Sequence, residues 1–190
     1  MIIIAYLKDY IWLFPLIAGI LTIIGLFTPS SYLNLLGIKE YYWMWGLIFL
    51  DTGPYGSSTI WFYEIEPTQV TIFIFLQKFI HFIVLFIFAS WICITAYKAA
   101  KEGDTNKYEL FWIILGICLI IMAISYIIEM EIMMNYYFDE FRSLELSYWK
   151  TRDPGFAIIA PFISGGLSIT GAFLSKYLRK RGFEVIIEKK

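Results

Sequence analysis

The chain has 190 residues, of which 59% are hydrophobic and 20% aromatic, and its formal net charge at pH 7 is −1. The few polar residues of such a chain cannot cover so much apolar side chain, so lipid must replace water around much of it. The nearly neutral charge also excludes a strongly basic nucleic-acid binder. Cys93 and Cys118 both lie inside apolar runs, where we expect buried thiols rather than a disulfide or a metal pair.

Four apolar runs are each long enough to form a helix that crosses a hydrocarbon core of ~30 Å. We predict membrane-spanning helices at about 10–27, 79–96, 110–128 and 156–174. No small-residue cleavage site follows the first run, so we interpret it as an uncleaved span rather than a signal peptide. The apolar stretch 67–78 is expected to extend the second helix above the membrane.

The distribution of basic residues predicts the orientation of these spans. Lysine and arginine concentrate in the segments 1–9, 97–109 and 175–190, whereas the segments 28–78 and 129–155 hold more acidic than basic residues. By the positive-inside rule, the first three segments are cytoplasmic and the other two face outward. We therefore predict a multi-pass protein of the plasma membrane with both termini in the cytoplasm.

Aromatic and β-branched residues separated by turn signals fill the first outer segment. They predict strands at 32–36, 41–50 and 59–65, and the alternating stretch 144–150 could add an edge strand. Within the second strand, a two-residue period places five side chains on one face, namely Tyr41, Trp43, Trp45, Leu47 and Phe49. The predicted fold is an all-α four-helix transmembrane bundle that carries a small extracellular antiparallel β-sheet.

Several short features match a known family in kind and position. They are Pro29 after the first span, Trp45-Gly46-Leu47-Ile48-Phe49 in the outer loop, Gln77-Lys78-Phe79 before the second span, and Gly165-Gly166 in the fourth. Together with the layout of the spans, they resemble the claudin superfamily, which includes peripheral myelin protein, epithelial membrane proteins and the calcium-channel gamma subunits. The resemblance implies cytoplasmic termini, a sheet from the first outer loop joined by one strand of the second, and a short helix leading into the second span.

The chain departs from that family pattern at two points. The paired loop cysteines of the family are absent, and Ile48 or Phe49 stands where the family has a tryptophan. Removing a native disulfide typically costs ~2–5 kcal/mol, and an aromatic pair returns only ~0.5–1.5 kcal/mol beyond its area burial. Several aromatic pairs are therefore expected to replace the missing bond.

A few ionisable side chains lie near the predicted membrane surface. His81 is the only histidine and follows Lys78 by three residues, on the same helical face. It could act as a ligand or proton relay, but a structural histidine is favoured because no cysteine or carboxylate is spaced with it for a metal site. Four carboxylates follow the third span, at Glu129, Glu131, Asp139 and Glu140. They could bind a cation, although a charge run at such a helix end is more often a solvated face.

Small residues recur at helical spacing in the fourth span. They are Ser164, Gly165, Ser168 and Ala172. A stripe of this kind lets helices approach closely, and packing within the chain is favoured over a seam between two copies.

The outer aromatic residues form the predicted interaction surface. This set comprises Tyr41, Trp43, Trp45, Gly46, Leu47, Phe49, Trp61, Tyr63 and Trp149. Exposed aromatic residues are equally typical of a headgroup belt and of a recognition hot spot. We predict a protein of the lipid bilayer that mediates self-association, cell-cell contact or membrane organisation through this surface, with a second copy or other membrane proteins as partners and no nucleic acid.

Two other classes of function stay open. One is an accessory subunit of a channel, transporter or membrane enzyme complex. The other is a membrane enzyme or a carrier of a lipid-like ligand, which would need a pocket around Lys78, His81 and Glu129. Since no nucleophile is paired with a base, we predict that the chain is not an enzyme and has no cofactor and no metal site.

Overall fold

A computed structural model of the chain describes residues 10–35, 38–61, 69–137 and 147–180, most of which are helical. The helices are α1 Leu13–Leu26, α2 Gln69–Glu102, α3 Glu109–Tyr137, α4 Tyr148–Thr151 and α5 Phe156–Lys180. The strands are β1 Pro29–Leu35, β2 Ile38–Trp43, β3 Leu47–Asp51, β4 Ser57–Trp61 and β5 Asp153–Pro154. The described chain is thus a helical body with one small antiparallel sheet, as predicted.

Three of the described helices are long and apolar enough to cross a membrane. The qualifying segments are Phe75–Glu102, Asn106–Ile132 and Phe156–Arg179. The first predicted span corresponds to α1, which is apolar but has 14 residues and so a length of only ~21 Å at 1.5 Å per residue. That α1 is a fourth span stays a prediction.

The helices pack closely where small residues face each other. α1 contacts both α2 and α5, and α3 contacts α5 along much of its length. At the contact of α3 with α5, a methyl group added to Gly165 would lie 2.6 Å from the carbonyl oxygen of Gly116. Only glycine allows these two backbones to approach so closely.

Two helices are longer than the predicted spans. α2 runs without a break from Gln69 to Glu102, so the described part of the stretch 67–78 continues the helix that contains the second predicted span. α3 continues to Tyr137, well beyond the predicted end at residue 128, because the carboxylates Glu129 and Glu131 are accommodated on the helix. The predicted end of the membrane span at residue 128, with emergence into water from Glu129 onward, concerns the lipid boundary and stays a prediction.

The sheet has five strands in the order β4-β3-β2-β1-β5, and every neighbouring pair is antiparallel. The prediction of one strand over 41–50 was wrong, because the chain turns at 44–46 and forms a hairpin of β2 and β3. Gly46 makes the turn possible with a φ of 94°, and its N–H donates to the Trp43 carbonyl at 2.9 Å. Met44 and Trp45 are not typical turn residues, so the apolar pattern conceals this turn.

The prediction of an edge strand over 144–150 was also wrong in its described part. Tyr148 begins the short helix α4, and the strand supplied by this segment is instead β5, which pairs with Ser31 and Tyr32 of β1. Tyr148 and Trp149 are neighbours in sequence and both pack inward. A helical turn can place neighbouring side chains on one side, whereas a strand cannot.

Candidate functional site

The hairpin brings most of the predicted aromatic surface onto one face of the sheet. Tyr41 and Phe49 are directly paired across β2 and β3, with ring centroids 6.1 Å apart. Trp43 lies 6.5 Å from Tyr41 and 6.3 Å from Trp45. The spacing places these side chains within the range of favourable ring contacts, so each ring orders its neighbour.

The aromatic contacts continue from the hairpin onto helix α2. Trp61 of β4 lies 5.7 Å from Trp45 on one side and 6.3 Å from Phe75 on the other. Below Phe75, the rings of Phe79, Phe82 and Phe86 follow at 6.1 to 6.3 Å, one helical turn apart. We call the whole set the aromatic stripe, and its members are Tyr41, Trp43, Trp45, Phe49, Trp61, Phe75, Phe79, Phe82 and Phe86.

The aromatic stripe is fixed to the body of the protein at two places. The indole N–H of Trp43 donates to the Phe27 carbonyl at 3.1 Å, where α1 ends. At the hairpin turn, Gly46 lies against the Phe75 ring so closely that an added methyl group would come within 2.6 Å of it. The stripe is therefore a preformed surface, and much of it stays accessible, with Trp61 36% exposed and Phe79 and Phe86 each 40% exposed.

The predicted surface residues do not all lie together. Leu47 is paired with Trp61 and shares its face, and Gly46 lies at the turn, so both belong to the predicted group. Trp149 lies elsewhere, because its indole N–H donates to the Ile127 carbonyl at 3.0 Å and its ring packs against Tyr148. Tyr63 lies outside the described residues.

The opposite face of the sheet is buried where β1 and β2 lie against the helices, and it carries polar groups there. A bulge in β1 between Pro29 and Ser31 places two consecutive serines in the interior, which regular alternation would prevent. The hydroxyl of Ser30 donates to the Tyr42 carbonyl at 3.0 Å and lies 3.0 Å from the hydroxyl of Tyr126 on α3. Ser31 is hydrogen-bonded to the hydroxyl of Tyr148. These hydrogen bonds attach the sheet to the helices.

Arg152 is the charged group at the centre of this buried face. Its guanidinium donates to the Glu40 carboxylate at 2.9 Å and lies over the rings of Tyr42 and Tyr148, at 5.4 and 4.8 Å. Burial lowers the pKa of Arg152, but the charge and hydrogen bond of Glu40 together with the neighbouring Tyr148 and Tyr42 outweigh it, so the pKa is raised. Burial raises the pKa of Tyr42 and of Tyr148 above that of a free tyrosine, and the Glu40 charge raises that of Tyr42 further.

A second polar group lies beside this one, between α2 and α3. His81 is 6% exposed, and its Nε2 lies 3.2 Å from Ser125 Oγ and 3.3 Å from Glu129 Oε1. Lys78 is also buried, with its Nζ against the sulfur of Met130 and 5.0 Å from the centre of the Tyr126 ring. Glu129 thus faces His81 instead of lying on the solvated face that the charge run favoured.

The remaining carboxylates of that run are not gathered here. Glu131 accepts the backbone N–H of Trp149 at 3.4 Å, and Asp139 and Glu140 lie outside the described residues. Within the described ranges, no three histidine, cysteine, aspartate or glutamate side chains are grouped closely enough to hold a metal ion.

The small-residue stripe of α5 packs inside the chain. Ser164 and Ala172 are buried, Gly165 touches α3 at Gly116, and the hydroxyl of Ser168 donates to the Trp112 carbonyl at 2.9 Å. The four residues are therefore occupied by contacts within one copy of the chain.

A polar cluster at the opposite end of the helices was not predicted. The Glu109 carboxylate accepts bonds from the Ser175 hydroxyl at 2.6 Å and from Arg179 at 3.1 Å, and Thr105 lies 2.5 Å from Ser175. Thr105 and Ser175 are 70 positions apart, as are Glu109 and Arg179, so no local pattern in the sequence relates them. Ser30, Ser31 and Arg152 escaped prediction for the same reason, although an arginine beside the aromatic pair at 148–149 was a usable signal.

Comparison with known proteins does not assign the chain to a group. No protein-family model matches the sequence, and a search of curated proteins finds no match.

Proposed function

We propose that the chain is a non-enzymatic, claudin-like membrane protein with four spans that associates with a second copy of itself through the aromatic stripe. The observation that carries this proposal is the stripe itself, a preformed row of contacting aromatic rings that remains partly exposed from Tyr41 down to Phe86. Tryptophan and tyrosine are the residues in which binding energy most often concentrates at protein interfaces.

The rigidity of the stripe favours association. The ring contacts, the bond from Trp43 to Phe27 and the turn at Gly46 hold its side chains in place before any partner arrives. A partner therefore does not have to order them, and this ordering otherwise costs ~0.5–1.5 kcal/mol for each immobilised side chain. A surface of this kind can bind although each individual contact is weak.

The position of the stripe favours a partner in the same membrane over a partner on another cell. Its lower half, from Phe75 to Phe86, lies on a helix that is long and apolar enough to cross the membrane. A partner that covers both halves must therefore have a spanning helix next to α2 and an outer part next to the sheet. A second copy of this chain has both features.

An accessory subunit of a channel, transporter or membrane enzyme complex is the second candidate. The continuity of the aromatic stripe from the sheet onto α2 also favours this candidate, because a spanning helix of a larger protein would fit beside Phe79 and Phe86 equally well. The two candidates differ in the identity of the partner and not in the surface used.

Native mass spectrometry of the extracted protein tests the proposal. The measurement is made on particles from the source membrane and on particles from a host that expresses this chain alone. We expect a homo-oligomer in both, and we expect Trp43→Ala to convert it to monomer while Tyr55→Ala, which changes a 92% exposed tyrosine outside the stripe, leaves it intact.

Other outcomes have distinct meanings in the same experiment. A heteromer from the source membrane with a monomer from the host would replace self-association by the accessory-subunit function. A monomer in both preparations would contradict association altogether and leave lipid headgroups as the contact of the stripe.

A further inference from the structure

The hydrogen bonds around His81 indicate how many protons this part of the protein holds. Nδ1 of the ring lies 3.1 Å from the backbone carbonyl oxygen of Gln77. A carbonyl oxygen can only accept a hydrogen bond, so Nδ1 must carry a proton. In a neutral imidazole the other nitrogen, Nε2, then has a bare lone pair.

Nε2 faces groups that do not suit a bare lone pair. It lies 3.3 Å from Glu129 Oε1 and 3.2 Å from Ser125 Oγ, and the Ser125 hydroxyl is itself 3.0 Å from the same carboxylate oxygen. If the carboxylate is ionised and the ring is neutral, the Ser125 hydroxyl proton is the only proton available for the three contacts among Nε2, Oγ and Oε1. The contact of Nε2 with Oε1 would then join two acceptors, with no proton between them.

One additional proton removes this conflict. Placed on Nε2, it donates to Glu129 Oε1 and leaves the Ser125 hydroxyl free to donate to the same carboxylate. Placed on the carboxyl group, it donates toward Nε2 or Ser125. We propose that His81, Ser125 and Glu129 form a proton-binding site that retains one proton more than a neutral imidazole and an ionised carboxylate would hold.

The site is largely shielded from water, with the His81 side chain 8% and the Glu129 side chain 22% exposed. The Glu129 Oε2 atom is buried with no hydrogen-bond partner among the described residues. The ring of Tyr126 on α3 lies 6.1 Å from the imidazole, and Lys78 of α2 lies 5.0 Å from the centre of that tyrosine ring. A buried carboxylate that lacks a partner for one oxygen is costly unless a proton or a cationic neighbour compensates its charge.

The proton site is connected to the sheet through Tyr126. The hydroxyl of Tyr126 meets Ser30 of β1, which in turn donates to the carbonyl of Tyr42. Beyond Tyr42 lie Arg152 and Glu40, the charged groups of the sheet's buried face. Loss of the proton would bring Nε2 and the carboxylate into an unfavourable contact directly beneath these bonds.

Nuclear magnetic resonance of the full chain in lipid nanodiscs tests the proposal without a mutation. The chain contains one histidine, so the two ring ¹⁵N signals belong to His81 alone. At neutral pH we expect both ring nitrogens to be protonated, or one to be bare while infrared spectroscopy shows a protonated carboxyl group. A bare nitrogen together with an infrared spectrum that shows only ionised carboxylates would overturn the proposal.

Two variants assign the proton to this site. Glu129→Gln should leave one ring nitrogen bare at the same pH, or remove the carboxylic-acid band. Glu131→Gln is the matched control, because Glu131 contacts the backbone of Trp149 and not His81. Equal effects of the two substitutions would contradict the assignment, and an unfolded Glu129→Gln variant would leave the wild-type signals to decide.

Discussion

The two faces of the sheet differ in how their side chains are satisfied. On the buried face, Ser30, Ser31 and Arg152 each have a specific polar partner on another element. On the other face, residues such as Tyr41 and Trp61 contact mainly other rings and stay partly exposed. The sheet alternates between these roles residue by residue, as Tyr41 and Tyr42 show.

This difference separates stability from association. A buried polar group costs free energy as soon as its partner is lost, so substitutions on the buried face should act on folding. An exposed ring at the edge of a stack loses only part of its contacts when it is replaced, so substitutions on the aromatic face should act on binding. Each prediction below changes one face and uses a matched change elsewhere as a control.

The largest effect is expected for Arg152→Met. The substitution leaves Glu40 as an unpaired, largely buried carboxylate, and breaking a buried pair in this way costs about 3–5 kcal/mol. Denaturation of the purified protein in detergent measures the loss. Lys150→Met, two residues away and exposed, should change stability by no more than about 0.5 kcal/mol. Similar losses of stability in both variants would contradict the claim that the buried pair of Arg152 and Glu40 stabilises the fold.

Gly155→Ala should have the next largest effect. A methyl group at this position would lie 2.1 Å from the Pro29 carbonyl oxygen, which belongs to the backbone and cannot rotate away. Crowding of this kind costs about 1–3 kcal/mol. The control is Gly166→Ala on α5, where nothing lies within 4 Å of the added methyl group. Thermal melts of both variants should show a loss for Gly155→Ala alone.

A smaller effect is expected from alkaline pH. The pKa values of Tyr42 and Tyr148 are raised in the folded protein, mainly by burial. Below about pH 10 both states keep these protons, and above it only the unfolded state releases them. Stability should therefore fall by up to about 1.4 kcal/mol per pH unit for each tyrosine above about pH 10. Tyr42→Phe should make this decline less steep, as followed by tryptophan fluorescence, and an unchanged slope would contradict the prediction.

The smallest effect on stability is expected at Thr59, which is exposed and paired with Phe49 on the aromatic face. Thr59→Glu should change the free energy of unfolding by no more than about 0.5 kcal/mol. It should nevertheless weaken self-association at least tenfold, or about 1.4 kcal/mol, because it brings a charge to the interface. Ser58→Glu places the same charge on the opposite face and should leave association unchanged. Analytical ultracentrifugation in detergent compares the two.

The sequence predicted the features that depend on local pattern. The apolar runs located the parts of α2, α3 and α5 that are long and apolar enough to cross a membrane, and the aromatic runs located the sheet. The turn at 44–46 was not predicted, because the apolar period continues through it. Trp43 and Trp45 nevertheless lie on the same face of the hairpin, where a single strand would also have placed them.

Features that depend on distant residues were not predictable in this way. Glu40 and Arg152 are separated by 112 positions, and His81 and Ser125 by 44, so no local spacing relates them. The bulge at Ser30 also breaks the two-residue period on which strand predictions rest. Buried polar partners of this kind become visible only when the helices and the sheet are assembled.

The most direct test of the central claim is photo-crosslinking in the membrane. A benzophenone side chain is introduced at position 59 or at position 58, two neighbouring exposed sites on opposite faces of β4. Association through the aromatic stripe predicts a crosslinked dimer from position 59 and little or none from position 58. Equal crosslinking from both positions, or crosslinking from position 58 alone, would contradict the account.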